Sequence, residues 1–223
     1  RWEGQGLYVM PGEDSSYLWQ GYIPQQENPH AINPERGYLQ SANQRAADGT
    51  YPYFIPGSYI TARGVRIDKK LATMSAITPK DMMELHADYF NVSAEDVRPI
   101  LLATIQETQL EAKERAYLEI LRNWDLKASP DSKGQTVFQC FWDTVQASIW
   151  RDEISRTNPM APWPTEQTTI EWLLKDTVYQ FADDINTPQK ETLSMIVTAS
   201  FKKAALVLEA KEAEDKLAWS RFM

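Results

Sequence analysis

Cysteine occurs once in the 223 residues, at Cys140, so no disulfide can close within the chain. It lies between Phe138 and Trp142 in a helical pattern and reads as a small apolar side chain, not a catalytic thiol. Histidine is almost as scarce. His30 lies in a Pro-flanked loop, and His86 shares a helical stretch with Met82, Met83 and Phe90, where a core or boundary position is expected, not a general base. Glu84, His86 and Asp88 resemble a metal cluster on paper, but residues two apart on a helix do not face each other. No run approaches the ~20 apolar residues of a membrane span. No basic stripe marks a nucleic-acid face. There is no Gly-x-Ser-x-Gly elbow, no phosphate loop and no zinc-spaced Cys/His set. The chain opens on Arg1-Trp2-Glu3 with neither Met nor signal peptide, and is expected to be a processed or cut-down piece of something longer.

What is present is ordinary for a packed protein: 43% hydrophobic and 24% charged residues, a net charge of −8, 8 Trp and 10 Tyr. The length allows one large domain or two small ones. Residues 1–62 are rich in Gly, Pro, Tyr and Asn. Short extended runs at 6–10, 17–23 and 38–42 predict strands with no partners of their own. Residues 63–223 read as a helical domain. Helices are expected at 63–71 and from Thr78-Pro79 to about Phe90. Another should open at Ser93, with Leu101, Ile105, Ala112, Ala116 and Ile120 as one apolar stripe ending at Trp124-Asp125. Phe138, Phe141, Trp142, Val145 and Ile149 mark the next. A proline-rich loop spans 158–164, Thr165 caps a helix through Leu174, and Thr187-Pro188 is expected to start the last. That helix buries Leu193, Val197, Phe201, Ala204 and Leu208, with a solvated charged tail at 209–216. Asp183-Asp184 is expected to be solvated. Trp142, Trp150, Trp163 and Trp172 could line a pocket, although their spacing and proline neighbours favour packing.

Amide hydrolysis needs a nucleophile, a base and donors for an oxyanion. Asn33-Pro34-Glu35-Arg36-Gly37-Tyr38-Leu39-Gln40-Ser41-Ala42-Asn43-Gln44-Arg45 reads as a turn, a short strand and a polar turn, with Asn43 at the strand's end. The ordinary role for such an asparagine is a turn residue. The ordered set Asn33-Pro34-x-x-Gly37-Tyr38-Leu39-x-x-Ala42-Asn43-Gln44, then Tyr51-Pro52-Tyr53, then Ala62-Arg63-x-x-Arg66-Ile67, resembles the middle of the β chain of the penicillin acylase (penicillin amidase) family. Those enzymes include acyl-homoserine-lactone and cephalosporin acylases and are N-terminal-nucleophile hydrolases. Trp124-Asp125 and the helical run 135–153 are similar as well.

The resemblance implies a mainly α piece whose N-terminal strand/loop segment, 1–62, belongs to an αββα hydrolase core. It implies cleavage of the amide of an N-acylated substrate, penicillin or acyl-homoserine lactone in type. Asn43 matches the family's oxyanion-hole asparagine. Arg63 matches the arginine that orients it and favours the neutral form of the nucleophile's amine; its plainer alternative is a solvated helix charge beside Arg66, Lys69 and Lys70. The nucleophilic N-terminal Ser is not at Arg1, so this piece is expected to be inactive alone. The remainder of the β chain and the α chain of the same precursor are the implied partners, and the periplasm is the implied location; neither nucleic acid nor membrane is expected as a partner. No cofactor is expected of these residues, while the resemblance leaves room for calcium in the full-length protein. Some relatives hold calcium just past the Tyr-Pro pair, but Tyr53-Phe54-Ile55-Pro56 offers no carboxylate. A non-catalytic helical binding or scaffold domain is the competing reading.

Overall fold

The computed structural model describes residues 9–19, 21–57, 59, 61–155 and 162–222. The chain divides into two compact units, Arg1–His86 and Ala87–Met223. Among the described residues the regular structure is helical: α1 (Thr61–Leu71), α2 (Pro79–His86), α3 (Val92–Thr104), α4 (Ala112–Asn123), α5 (Lys133–Ser155), α6 (Glu166–Lys175), α7 (Leu193–Ala213) and α8 (Trp219–Phe222). None of these helices is long and apolar enough to cross a membrane.

In the first unit, α1 and α2 follow a long irregular stretch held by local turns. Asp14 caps a 3-10 turn at Ser15–Tyr17 by accepting from the Ser16 N–H, and Asp48 accepts from the Thr50 N–H and hydroxyl. No strand forms among the described residues. Residues 38–42 are unpaired coil, 17–23 begins in the 3-10 turn, and the run at 6–10 lies largely outside the described residues. Strand character without a neighbouring strand leaves a row of ladder groups unmet, so the backbone turns on itself instead. The helix opened by Thr78-Pro79 stops at His86, not Phe90, and buries none of its residues; His86 is exposed rather than packed.

The second unit has one core, built around the apolar faces of α5 and α7. Val137, Phe138, Phe141, Trp142, Val145 and Ile149 from α5 meet Val197, Phe201, Ala204 and Leu208 from α7, and none of these is more than 1% exposed. Phe141 and Phe201 cross edge to face at 4.8 Å. At about 1.5–3 kcal/mol for each fully buried large side chain, this seam dominates the unit's stability. Helix α4 packs on both, α3 on α6 and α7, and α8 on α5. Every indole N–H of the interior tryptophans is satisfied: Trp124 donates to the Lys127 carbonyl, Trp142 to Glu166, Trp150 to Thr169 and Trp172 to Asp176. Trp150, Trp172 and Phe181 form an aromatic cluster, whereas Trp163 is 42% exposed. Trp142, Trp150 and Trp172 are thus engaged in packing, and Trp163 is not.

In the second unit three helix boundaries differ from expectation. The stripe through Ile105 is broken into α3 and α4, because Ile105 turns extended and the exposed polar groups of the break are met by α7. The Gln106 N–H donates to Thr198 Oγ1, its amide to Ser194 Oγ, and Ser194 Oγ–H to the Thr104 carbonyl. A capping box between Glu111 and Glu114 then restarts the helix. The opening of α3 is capped by Asn91, two residues earlier than Ser93. Thr187-Pro188 lies in a turn, and Thr192 caps α7 through Met195 N–H. The turn is stapled by carboxylates that are not merely solvated: Asp183 accepts from Glu191 N–H, Asp184 from Asn186, and buried Asp152 from Ile185 N–H. In the tail, Glu212 accepts from the Tyr117 hydroxyl and pairs with Lys113. The Tyr117 phenol is accordingly pushed up, by burial first and then by Glu212.

Candidate functional site around Asn43 and Arg63

The segment 36–45 and helix α1 meet along a short seam within the first unit. Asn43 has φ 61°, in the left-handed region that asparagine tolerates better than most residues. The turn is closed around it. Buried Ala42 donates its N–H to Gln44 Oε1 at 2.5 Å, and Gln44 Nε2 reaches back to the Gln40 carbonyl at 3.4 Å. Gln44 lies on α1 where Gly64 has no side chain: a Cβ there would stand 3.0 Å from Gln44 Oε1 and 3.4 Å from its Cβ. Glycine at 64 therefore sets how closely the turn can approach the helix.

One residue earlier on α1, Arg63 donates through Nη2 to Asn43 Oδ1. A guanidinium carries donors only, so it must meet the carboxamide's oxygen. The Asn43 Nδ2 donors are thereby turned away from the helix. Asn43 is exposed, and no acceptor among the described residues takes them. Arg63 is thus more than a solvated helix charge. Asn43 and Arg63, read from the sequence as a pair, are brought together.

A second latch was not foreseen. The Tyr38 hydroxyl donates to Asp68 Oδ1 at 2.9 Å, and Arg36 Nη1 meets the same carboxylate oxygen at 3.0 Å while its guanidinium lies 4.8 Å from the centre of the Tyr38 ring. Burial, then the bond to Asp68, raises the Tyr38 phenol above its ordinary value. Tyr38 precedes Asn43 by five positions and Asp68 follows Arg63 by five, but nothing in either residue alone marks the other as its partner. Among the described residues no group of three or more His, Cys, Asp or Glu could hold a metal ion.

Comparison with known proteins shows what the chain is similar to. The family model described as penicillin amidase matches residues 1–223. The acyl-homoserine lactone acylase QuiP of Pseudomonas fluorescens (strain Pf0-1) is 25% identical over 240 residues, covering 98% of this chain and 29% of that protein. QuiP of Pseudomonas putida is 26% identical over 239 residues, with the same coverage. The penicillin acylase 2 proenzyme of Pseudomonas sp. (strain SE83) is 26% identical over 137 residues, covering 61% of this chain and 17% of its own length. The chain spans less than a third of the curated relatives it matches. With the whole of its length covered by that model, this chain belongs to the penicillin amidase family.

Proposed function

We propose that these residues form part of an amidohydrolase that cleaves the amide of an N-acylated substrate, of penicillin or acyl-homoserine-lactone type. The observation that carries the reading is the hydrogen bond from Arg63 to Asn43 Oδ1, which leaves the Asn43 amide donors facing outward from an exposed turn. When a nucleophile adds to the substrate's carbonyl carbon, the π pair moves to oxygen. Asn43 Nδ2 is the fixed dipole offered to that oxygen. As the tetrahedral intermediate collapses, the C–N bond breaks and the amine departs with a proton. Arg63 acts by holding the carboxamide in register and adds positive potential near the developing charge.

The nucleophile is assigned to sequence outside these 223 residues, in the remainder of the β chain, with the α chain of the same precursor as the other partner. The proenzyme name of one relative supports such a precursor. Periplasmic location belongs to the same reading. No cofactor is assigned, and residues 53–56 are not proposed as calcium ligands.

In the full-length protein, Asn43→Ala should lower kcat by about 10²–10³ while leaving the melting temperature in place. Arg63→Ala should act in the same direction, and Arg63→Lys should retain part of the rate as a single-point donor. An Asn43→Ala effect below threefold removes Asn43 from the oxyanion site and favours a non-catalytic domain. The isolated 223 residues should show no steady amide hydrolysis, and steady turnover would overturn the division of labour.

A further inference from the structure

Beside Asn43 the same turn walls a cavity of about 610 Å³, lined among others by Gln40, Ser41, Gln44, Arg45, Asp48 and Thr61. These residues flank Asn43 on both sides in sequence, and Thr61 precedes Arg63 by two. The charges of the wall are unequally committed. Asp48 is spent on Thr50, accepting from its N–H at 2.9 Å and its hydroxyl at 2.6 Å. Arg36, which also lines the cavity, is spent on Asp68. Arg45 is different. Its guanidinium is held 5.6 Å from the centre of the Tyr59 ring, and no carboxylate among the described residues pairs with it. Gln40 contributes no free acceptor to the cavity, because its side-chain oxygen is shut off from solvent, and with it from a bound ligand. An uncommitted guanidinium held by an aromatic face on a cavity wall suits a ligand that carries a carboxylate.

We infer that this cavity receives the amine half of the substrate and that Arg45 selects for a carboxylate on that half. The inference rests on the amidohydrolase reading above and deepens it by naming the substrate class: N-acylated amino acids and their relatives, ahead of neutral lactones. A guanidinium makes two parallel hydrogen bonds to a carboxylate and cannot do so to a lactone ester, so Arg45 separates the two by charge and by geometry.

The matched probes are N-octanoyl-homoserine and N-octanoyl-homoserine lactone, which share the acyl chain and differ in carboxylate against lactone. In the full-length protein, kcat/KM should be higher for the ring-opened acid. Arg45→Ala should lower kcat/KM for the acid by about ten- to a hundredfold, chiefly through KM, and change the lactone by less than about threefold. Arg45→Lys should restore part of the loss. Equal effects on both probes, or a preference for the acid that survives Arg45→Ala, would overturn the assignment while leaving the hydrolase reading intact. If neither probe is hydrolysed, calorimetric titration with the acid decides: binding that Arg45→Ala abolishes upholds the carboxylate site, and no binding to the unmodified protein refutes it. Failure of hydrolysis thereby counts against the amidohydrolase reading alone.

Discussion

Asn43 and Arg63 are separated by twenty positions and joined by one hydrogen bond. That pairing was legible because both residues sit in a long ordered motif. What was not legible was the Arg36–Tyr38–Asp68 latch, since an arginine, a tyrosine and an aspartate carry no individual signal for a partner thirty residues away. Cys140 shows the opposite case, a side chain read correctly from its apolar neighbours. It is 8% exposed, and burial, with Asp143 nearby, pushes its thiol from 9.0 up to about 11. The folded chain therefore holds the thiol proton more tightly than the unfolded chain does. The stabilising contribution is full below pH 9.0 and is lost as pH rises toward about 11, while the unfolded thiol ionises first. Melting temperatures measured across that window should fall more steeply for the native chain than for Cys140→Ala. Parallel slopes would show that Cys140 does not titrate there.

At the scale of elements, the helices were legible wherever an apolar stripe and a cap agreed. Thr165 caps α6 and accepts from the Thr168 N–H, and the five apolar positions expected for α7 are all buried. The stripe across Ile105 misled because its 3.6-residue period continues through a break that only side chains of α7 satisfy, ninety residues downstream. The runs at 17–23 and 38–42 form no strand within the described residues for the converse reason: propensity for extension does not supply a neighbour. Helix α5 contains a test of packing. Gly134 lies in its first turn, where alanine would ordinarily favour the helix by up to about 1 kcal/mol. Here a Cβ would stand 2.1 Å from Trp124 Cγ, and that ring is anchored by its bond to the Lys127 carbonyl. Overpacking of this kind costs about 1–3 kcal/mol or more. Gly134→Ala should therefore lower the melting temperature, by roughly 2–4 °C for each kcal/mol. An unchanged or raised value would mean that the indole moves aside freely.

For the molecule as a whole, the mainly helical class was legible from composition and periodicity. The partition into compact units Arg1–His86 and Ala87–Met223 follows from which contacts close, a property no local pattern carries. The two units should differ in dynamics. Among the described residues, 9–57 has backbone hydrogen bonds only in scattered turns, whereas α5 and α7 bury a continuous core. In hydrogen exchange on the 223-residue chain, amides of α5 and α7 should be slower than those of 9–57 by a factor on the order of 10³ or more. Uniform protection would show that the first segment is stabilised by pairing between copies.

The two latches on α1 carry a consequence for ancestry. Because the turn bearing Asn43 is clamped to the helix at Arg63 and again at Asp68, the peptide between 46 and 57 does not set their separation. Lineages are at liberty to lengthen, shorten or rewrite that connection, and so to reshape the neighbouring cavity wall, without displacing the carboxamide.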